Sequence, residues 1–234
     1  MSWGAHALVV AALLSVGVLP NLRAQAPSTA SLGAAVRARI EENQRALRQY
    51  TWKQRTELQL KGQVKNERVE LVQFDADGEL QRTPLGSSPA PVERRGVRGH
   101  IRREKQEETQ AYLQRMIERA VRYLYPSPAS LSAPFEKAEV WEGKGATSGT
   151  VQVRVKDFVI QGDSMTFYVD VASHKPRRLE VTSSLDDDPI SITTEYGDLP
   201  DGPTYGARTT VHAVKKQIQI KIENFDFARL TKTK

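Results

Sequence analysis

The 234-residue sequence contains no cysteine and only four histidines. Without a thiol there is no cysteine nucleophile, no disulfide, no thiolate metal site and no residue on which a lipid anchor is built after export. An exported chain of this length manages without disulfide staples, because it buries roughly 70% of its unfolded surface in one core. Beyond the first few residues the histidines are His100, His174 and His212. None has a neighbour at the H-x-H or H-x-x-x-H spacing that puts two imidazoles on one metal. His174, in "ASHKPRR", reads as a turn residue. The chain also lacks a G-x-S-x-G elbow, a P-loop and a G-x-G-x-x-G turn. "DADGE" shares a fragment with calcium loops but not their twelve-residue ligand pattern, and Asp-Gly is a hairpin signal. "SLDDDP" (184–189) carries three acids with nothing nearby to complete a metal's shell, so it reads as a solvated turn. Trp52 and Trp141 lack the interleaved basic residues of a single-strand nucleic-acid surface. These absences lead us to expect no enzymatic activity, no metal or cofactor, and no nucleic-acid partner.

Long hydrophobic runs are scarce too. "ALVVAALLSVGVLP" (7–20) is uncharged and is followed by "NLRAQAP". It has the length of a signal-peptide core and is shorter than the ~20 apolar residues of a comfortable membrane span. We expect residues 1–24 to be a secretory signal, with Ala24 before the cut, and residues 25–234 to form a single domain. The net charge of +6 is dispersed along the chain. The one basic run, "RRGVRGHIRREK" (94–105), is soon followed by Glu107 and Glu108 and reads as a solvated loop and helix start.

What remains is periodicity. Leu32, Val36, Ile40 and Leu47 stand at helical spacing over 32–49, interrupted by Arg39 and Asn43. "YTWKQRTELQLKG" (50–62) then alternates as a strand. Tyr50, Trp52, Leu58 and Leu60 share one face with Gln54 and Thr56, while Lys53, Arg55, Glu57, Gln59 and Lys61 take the other. A second strand over 64–74 turns through Asp77-Gly78 into a third that ends at Pro84, and "GSSPAPVERRG" (86–96) is a loop. The strongest helix follows over 103–124. Leu113, Met116, Ile117, Ala120 and Leu124 form its stripe, Tyr112, Val121 and Tyr123 widen it, and Pro126 and Pro128 end it. From 137 onward the period is two. The segments are "KAEVWEG", "TVQVRVKDF", "SMTFYVDVA", "RRLEVTSS", "ISITTEY" and "QIQIKIENFDF", joined by the turns "QGDS", "SHKP", "LDDDP" and "DLPDGPTYG". The expected fold class is α+β: about ten strands in one strongly curved antiparallel sheet, an unclosed β-barrel, with two helices covering its concave face.

The last third, "SMTFYVDVASHKPRRLEV…ISITTEYGDLPDGPTYGARTTV…KQIQIKIENFDF", resembles bacterial outer-membrane lipoprotein-sorting (LolA/LolB-like) proteins. The matching positions are Pro176, Leu179 to Val181, Tyr196, Asp198, Asp201-Gly202 and Phe225 to Phe227. The layout extends the likeness over 32–230. The family's F-x-Q in the first strand and its R-P-x-x-F-R-W segment have no counterpart here, and Arg55 is the nearest candidate for the arginine that helps hold lipoprotein. The resemblance implies an exported, periplasmic protein, unanchored after cleavage. Its half-barrel would hold an apolar ligand, lipid or the acyl chains of lipoproteins, with lipoprotein sorting as one form of the task. The alternative is an envelope sensor or adaptor of the same fold that acts through a protein partner. The candidate ligand-facing residues are Tyr50, Trp52, Leu58, Leu60, Leu113, Met116, Ile117, Phe167 and Val169. Intact-mass analysis of periplasmic protein is expected to give a chain of about 210 residues. Full-length protein retained in the inner membrane would contradict the signal assignment.

Overall fold

The structure is a computed structural model that describes residues 29–86, 97–143, 149–200 and 202–230. The expected signal segment, nearly all of the 86–96 loop, the side chain of Leu32 and Asp201 lie outside these residues. The chain begins with helix α1 (Thr29–Leu47) and a three-stranded unit, β1 (Tyr50–Leu60), β2 (Gln63–Phe74) and β3 (Leu80–Pro84). Helices α2 (Val97–Leu124) and α3 (Pro128–Glu136) follow. A long meander then runs through β4 (Glu139–Glu142), β5 (Thr150–Lys156), β6 (Ser164–Asp170), β7 (Pro176–Leu185), β8 (Asp188–Asp198), β9 (Thr204–Ala213) and β10 (Ile218–Arg229). All ten strands make one antiparallel sheet, ordered β3-β2-β1-β10-β9-β8-β7-β6-β5-β4. Every neighbour in that order is a sequence neighbour except the pair β1–β10, which joins the N-terminal unit to the meander. The sheet does not close, and β3 and β4 are its edges.

Three elements differ from the sequence expectation. There are three helices among the described residues, not two. Pro128 does not merely stop α2. It opens α3 behind Ser127, whose hydroxyl caps the helix by accepting from the Ser130 amide. Proline at the first helical position lacks an N–H that the helix would leave unbonded anyway, so one residue type serves both as stop and as start. Strand β9, "TYGARTTVHA", shows weak alternation because its inward positions carry threonine and alanine as well as valine: Thr209, Val211 and Ala213 are all buried. Finally, β10 contains a bulge. Thr51 pairs with Ala228 but Lys53 pairs with Phe225, so β10 carries an extra residue there, and Asp226 adopts φ 52°. An extra residue reverses the alternation beyond it. Phe225 therefore lies on the outer face under the Arg55 guanidinium, 5.5 Å from its ring centre, while Phe227 turns inward.

The helices rest on one side of the concave face: α3 on β5, α2 on β7, and α1 on α3 and β4. The core between them contains Met116, Leu131, Phe135, Val153, Val155, Met165, Leu179, Val181, Ile190 and Ile192, all nearly or fully inaccessible. α2 is pinned to this side by polar groups as well. The Tyr112 hydroxyl donates to Asp188 (3.0 Å), that of Tyr123 to Asp163 (2.5 Å), Arg115 pairs with Asp186, and Arg119 donates to the Ser184 carbonyl. The turn "SLDDDP" is thus more than a solvated acidic turn. Asp188 is buried and also accepts from the amides of Lys215 and Lys216. Asn43, which interrupts the α1 stripe, makes a reciprocal pair with the backbone of Thr204: its amide donates to the Thr204 carbonyl (2.6 Å) and its oxygen accepts from the Thr204 N–H (2.7 Å). A polar residue there costs no apolar contact, because it satisfies the first donor and acceptor of β9.

Asp198, at the end of β8, accepts from Arg177 (2.8 Å) and Thr204 Oγ1 (2.8 Å) and pairs with Lys175 (3.2 Å). Partial burial alone pushes its pKa up, but the bonds from Arg177, Thr204 and Lys175 outweigh that and hold it at about 2. A carboxylate held below its unfolded value of 3.8 contributes stability that is complete above that value and is lost as pH falls toward the folded one. Asp198→Asn is therefore expected to destabilise at neutral pH, with the difference from wild type shrinking between about pH 4 and pH 2 in urea titrations. A difference that stays constant across that window would refute this role.

Candidate binding cavity

Helix geometry gives α2 two working faces. Positions 112, 116, 120 and 123 are buried against β7 and β8. Positions 113, 117, 121 and 124, offset around the helix, are half-buried and point toward the part of the sheet formed by β1, β2, β9 and β10. No packed core fills that side. Three hollows lie in a row there, each sharing walls with the next. The outer one, of about 350 Å³, is bounded by Leu58, Asn66, Leu113, Gln114, Ile117 and Ile220. The middle one, of about 140 Å³, shares Thr56, Arg68, Gln114, Ile117 and Ile220 with it and adds Gln54, Arg82, Val121, Val211 and Ile222. The inner one, of about 60 Å³, lies between α1, the end of α2 and β6–β9. It shares Leu124, Tyr125, Thr209 and Asn224 with the middle hollow, and Ile40, Leu47, Phe167 and Tyr196 complete its apolar wall.

The reason for the row of hollows is visible in the strand registers. Gln54 faces Glu70 on one neighbour and Asn224 on the other, and Thr56 likewise faces Arg68 and Ile222. Residues opposite each other in an antiparallel ladder project to the same face. The concave face of β1 and β2 therefore interrupts Trp52, Leu58, Leu60 and Val72 with Gln54, Thr56, Asn66, Arg68 and Glu70, and those polar positions gain nothing from apolar packing against a helix. The buried amides are satisfied among themselves. Asn224 Oδ1 accepts from Trp52 Nε1 (3.1 Å) and Gln54 Nε2 (2.9 Å), and its Nδ2 donates to the Gly206 carbonyl (2.8 Å). Thr194 and Thr209 share a hydroxyl bond of 2.9 Å beside them. At the inner end, burial pushes the phenols of Tyr125 and Tyr196 above the ordinary tyrosine range, with the neighbouring Arg82 pulling Tyr125 slightly back. Both are neutral hydroxyls at any physiological pH.

The nine candidate residues are distributed unequally. Leu58, Leu113, Ile117 and Phe167 line the hollows. Met116 and Val169 are sealed in the core, and Leu60 packs against its margin. Tyr50 lies away from the row, beside a polar surface hollow with Arg39, Glu42 and Arg229. Trp52 lines none of these hollows. It is 2% exposed, stacked on Phe227 at 5.5 Å and tilted against Phe74 at 5.7 Å. Residues that the reading of apolar stripes passed over are the polar ones, Gln54, Arg68, Arg82 and Asn224. For Gln54 the signal was present in the sequence as a polar residue in phase with Trp52 and Leu58 along the first strand, whereas Arg68, Arg82 and Asn224 join it only through the registers of β2, β3 and β10. Asp198 and Tyr196, two of the resemblance-bearing positions, do different work: the first fastens the β8–β9 connection and the second walls the inner hollow. Among the described residues no cluster of three or more acids and histidines is placed to hold a metal, and no helix is long and apolar enough to cross a membrane.

Trp52→Ala is expected to cost about 3–5 kcal/mol in equilibrium denaturation, the penalty for emptying a packed aromatic site. Trp52→Phe, which keeps a ring between Phe74 and Phe227 and leaves Gln54 bonded to Asn224, is expected to recover most of it. A loss below about 1 kcal/mol for the alanine variant would show that the ring is not part of a packed cluster.

Several solved structures are similar to this chain. A LolA superfamily protein from Nitrosomonas europaea matches at 8% identity and TM-score 0.43, covering 86% of this chain and 94% of its own. A DUF1329 family protein from Desulfovibrio piger matches at 8% identity and TM-score 0.45, over 89% and 96%. An outer membrane lipoprotein-sorting protein domain from Vibrio parahaemolyticus matches at 12% identity and TM-score 0.41, over 83% and 92%. No family model and no curated protein sequence matches the chain.

Proposed function

We propose that this protein is an exported, periplasmic binding protein that holds an apolar chain, such as the acyl chain of a lipid or lipoprotein, between α2 and the β1–β2–β10–β9 part of the sheet, and that it catalyses no reaction. The observation that carries this reading is the asymmetry of α2. One face is buried in core and tied by Tyr112, Arg115, Arg119 and Tyr123, so the helix is held in place. The other presents Leu113, Ile117, Val121 and Leu124 to a row of hollows instead of to a packed wall. Apolar side chains that the protein itself buries only in part are a binding surface for something that removes the rest from water. The sequence resemblance to lipoprotein-sorting proteins supports the same reading, and lipoprotein sorting is the more specific task it suggests.

The ligand is held by area rather than by geometry. Each methylene taken out of water contributes about 0.8 kcal/mol, roughly a fourfold gain in affinity. Calorimetric titration with straight-chain fatty acids from octanoate to hexadecanoate is expected to show saturable binding that tightens by about this factor per methylene until the hollows are full. Ile117→Trp, which fills the wall shared by the outer and middle hollows, is expected to abolish binding without loss of fold. Absence of saturable binding along the whole series would refute the reading.

A further inference from the structure

The same cavity has an uncompensated charge at one side. Arg82 on β3 is opposite Val72, which is opposite Trp52, and Arg68 on β2 is opposite Thr56, so both arginines project into the concave face. Both line the middle hollow. Arg68 Nε lies 3.2 Å from Oε2 of the buried Glu70, an ion pair that offsets the charge of Arg68 but leaves that oxygen without a hydrogen bond. Arg82 has no carboxylate partner among the described residues. Its Nε makes a long 3.4 Å hydrogen bond to Gln54 Oε1, a neutral acceptor. Across the hollow the wall is apolar: Ile117, Val121, Ile220 and Ile222. A half-enclosed guanidinium beside an apolar wall is costly unless an anion meets it.

We propose that the natural occupant is a single-chain amphiphile with an oxyanion head, seated with its head on Arg82 and its chain along Ile117 and Val121 toward Leu124. The proposal rests on the binding function argued above and specifies its ligand class. A guanidinium presents paired N–H donors that match the oxygens of a phosphate or carboxylate, and the bond is stronger where water is partly excluded. Arg68 stands in the same hollow and adds a second positive centre, while its pairing with Glu70 makes it the lesser contributor. The neutral polar groups nearby, Gln54, Gln114 and Thr56, suit the oxygens of such a head without adding charge.

The experiment compares ligands that differ only in the head, by calorimetric titration of the mature protein: decyl phosphate, decanol, decyltrimethylammonium and, as a headgroup without a chain, inorganic phosphate. Decyl phosphate is expected to bind about tenfold or more tightly than decanol, the gain typical of a charge-assisted hydrogen bond. The ammonium ligand is expected to bind more weakly than decanol, and inorganic phosphate to give no saturable heat at the same concentrations. Arg82→Gln is expected to bring decyl phosphate to within about twofold of decanol, with an unchanged circular-dichroism spectrum and melting curve showing that the variant is folded. Arg82→Lys is expected to restore part of the preference. Equal affinity for decyl phosphate and decanol in the wild type, or an equal loss of both in Arg82→Gln, overturns the head-group assignment and leaves chain binding standing. Inorganic phosphate binding as tightly as decyl phosphate makes the site an anion site with no chain. Failure of all three decyl ligands to bind overturns the binding function itself.

Discussion

The pairing of β1 with β10 is the contact on which the rest of the molecule depends. All other strand pairs join neighbours in sequence, so they close short loops at small entropic cost. This one joins Tyr50 to Arg229 and closes nearly the whole chain. It holds because it is secured on both faces. Inside, Trp52 stacks on Phe227 and shares Asn224 with Gln54. Outside, a ladder of ion pairs crosses the seam: Lys53 with Asp226, Arg55 with Glu223, and Lys221 with Glu57. Exposed pairs of this kind contribute little each, so the aromatic stack and the buried amide network carry most of the seam. Without it β1–β3 would be a separate unit with a polar inner face and nothing to pack on.

The seam also divides the sheet by chemistry. On the β5–β8 side the inward positions are mostly valine, isoleucine, leucine, methionine and phenylalanine, and α2 and α3 pack onto them. On the β1–β3 side the inward positions alternate with glutamine, threonine, arginine and glutamate. One rigid helix spans both regions, and it can lie flush against only one. Its four anchoring polar side chains all reach toward β6–β8, so the space opens on the other side. The cavity is therefore a consequence of where α2 is fastened and of how poorly the opposite face rewards packing.

A cavity with one apolar wall and one cationic wall is a specific object. A purely apolar hollow would select by chain length alone, since hydrophobic burial is non-directional. A guanidinium at one side adds orientation and a sign of charge. In the proposed binding mode that combination would order an amphiphile along the groove, head toward β2–β3 and tail toward the Tyr125–Tyr196 end. It also explains why Arg82, on an edge strand, points inward, where a lone charge is otherwise expensive.

Most elements and the fold class were legible in the sequence; α3 and β9 were not, because Pro128 reads as a stop and the inward positions of β9 carry threonine and alanine. Period-two stretches and turn chemistry gave the meander, the Asp77-Gly78 turn gave the β2–β3 hairpin, and the stripe over 113–124 gave α2, because these signals are local. The sequence also put Gln54 and Thr56 in phase with Trp52 and Leu58, but that face reads as apolar from its larger side chains, and the share of Arg68 and Glu70 in it follows only from the β1–β2 register. What only the tertiary structure decided is which apolar face meets protein and which meets a hollow. Met116 and Ile117 are adjacent and equally apolar, yet one is sealed in core and the other lines the cavity, because the helix is tilted onto β7 by partners far away in the chain. The bulge at Asp226 was equally hidden. It puts Phe225 and Phe227, two residues apart, on opposite faces, and only the β1 register requires it. Trp52 shows the same limit: its phase put it on the inner face, and its burial depended on Phe227 arriving from the other end of the chain. Periodicity fixes the face on which a side chain lies, whereas packing against distant elements fixes what that face touches.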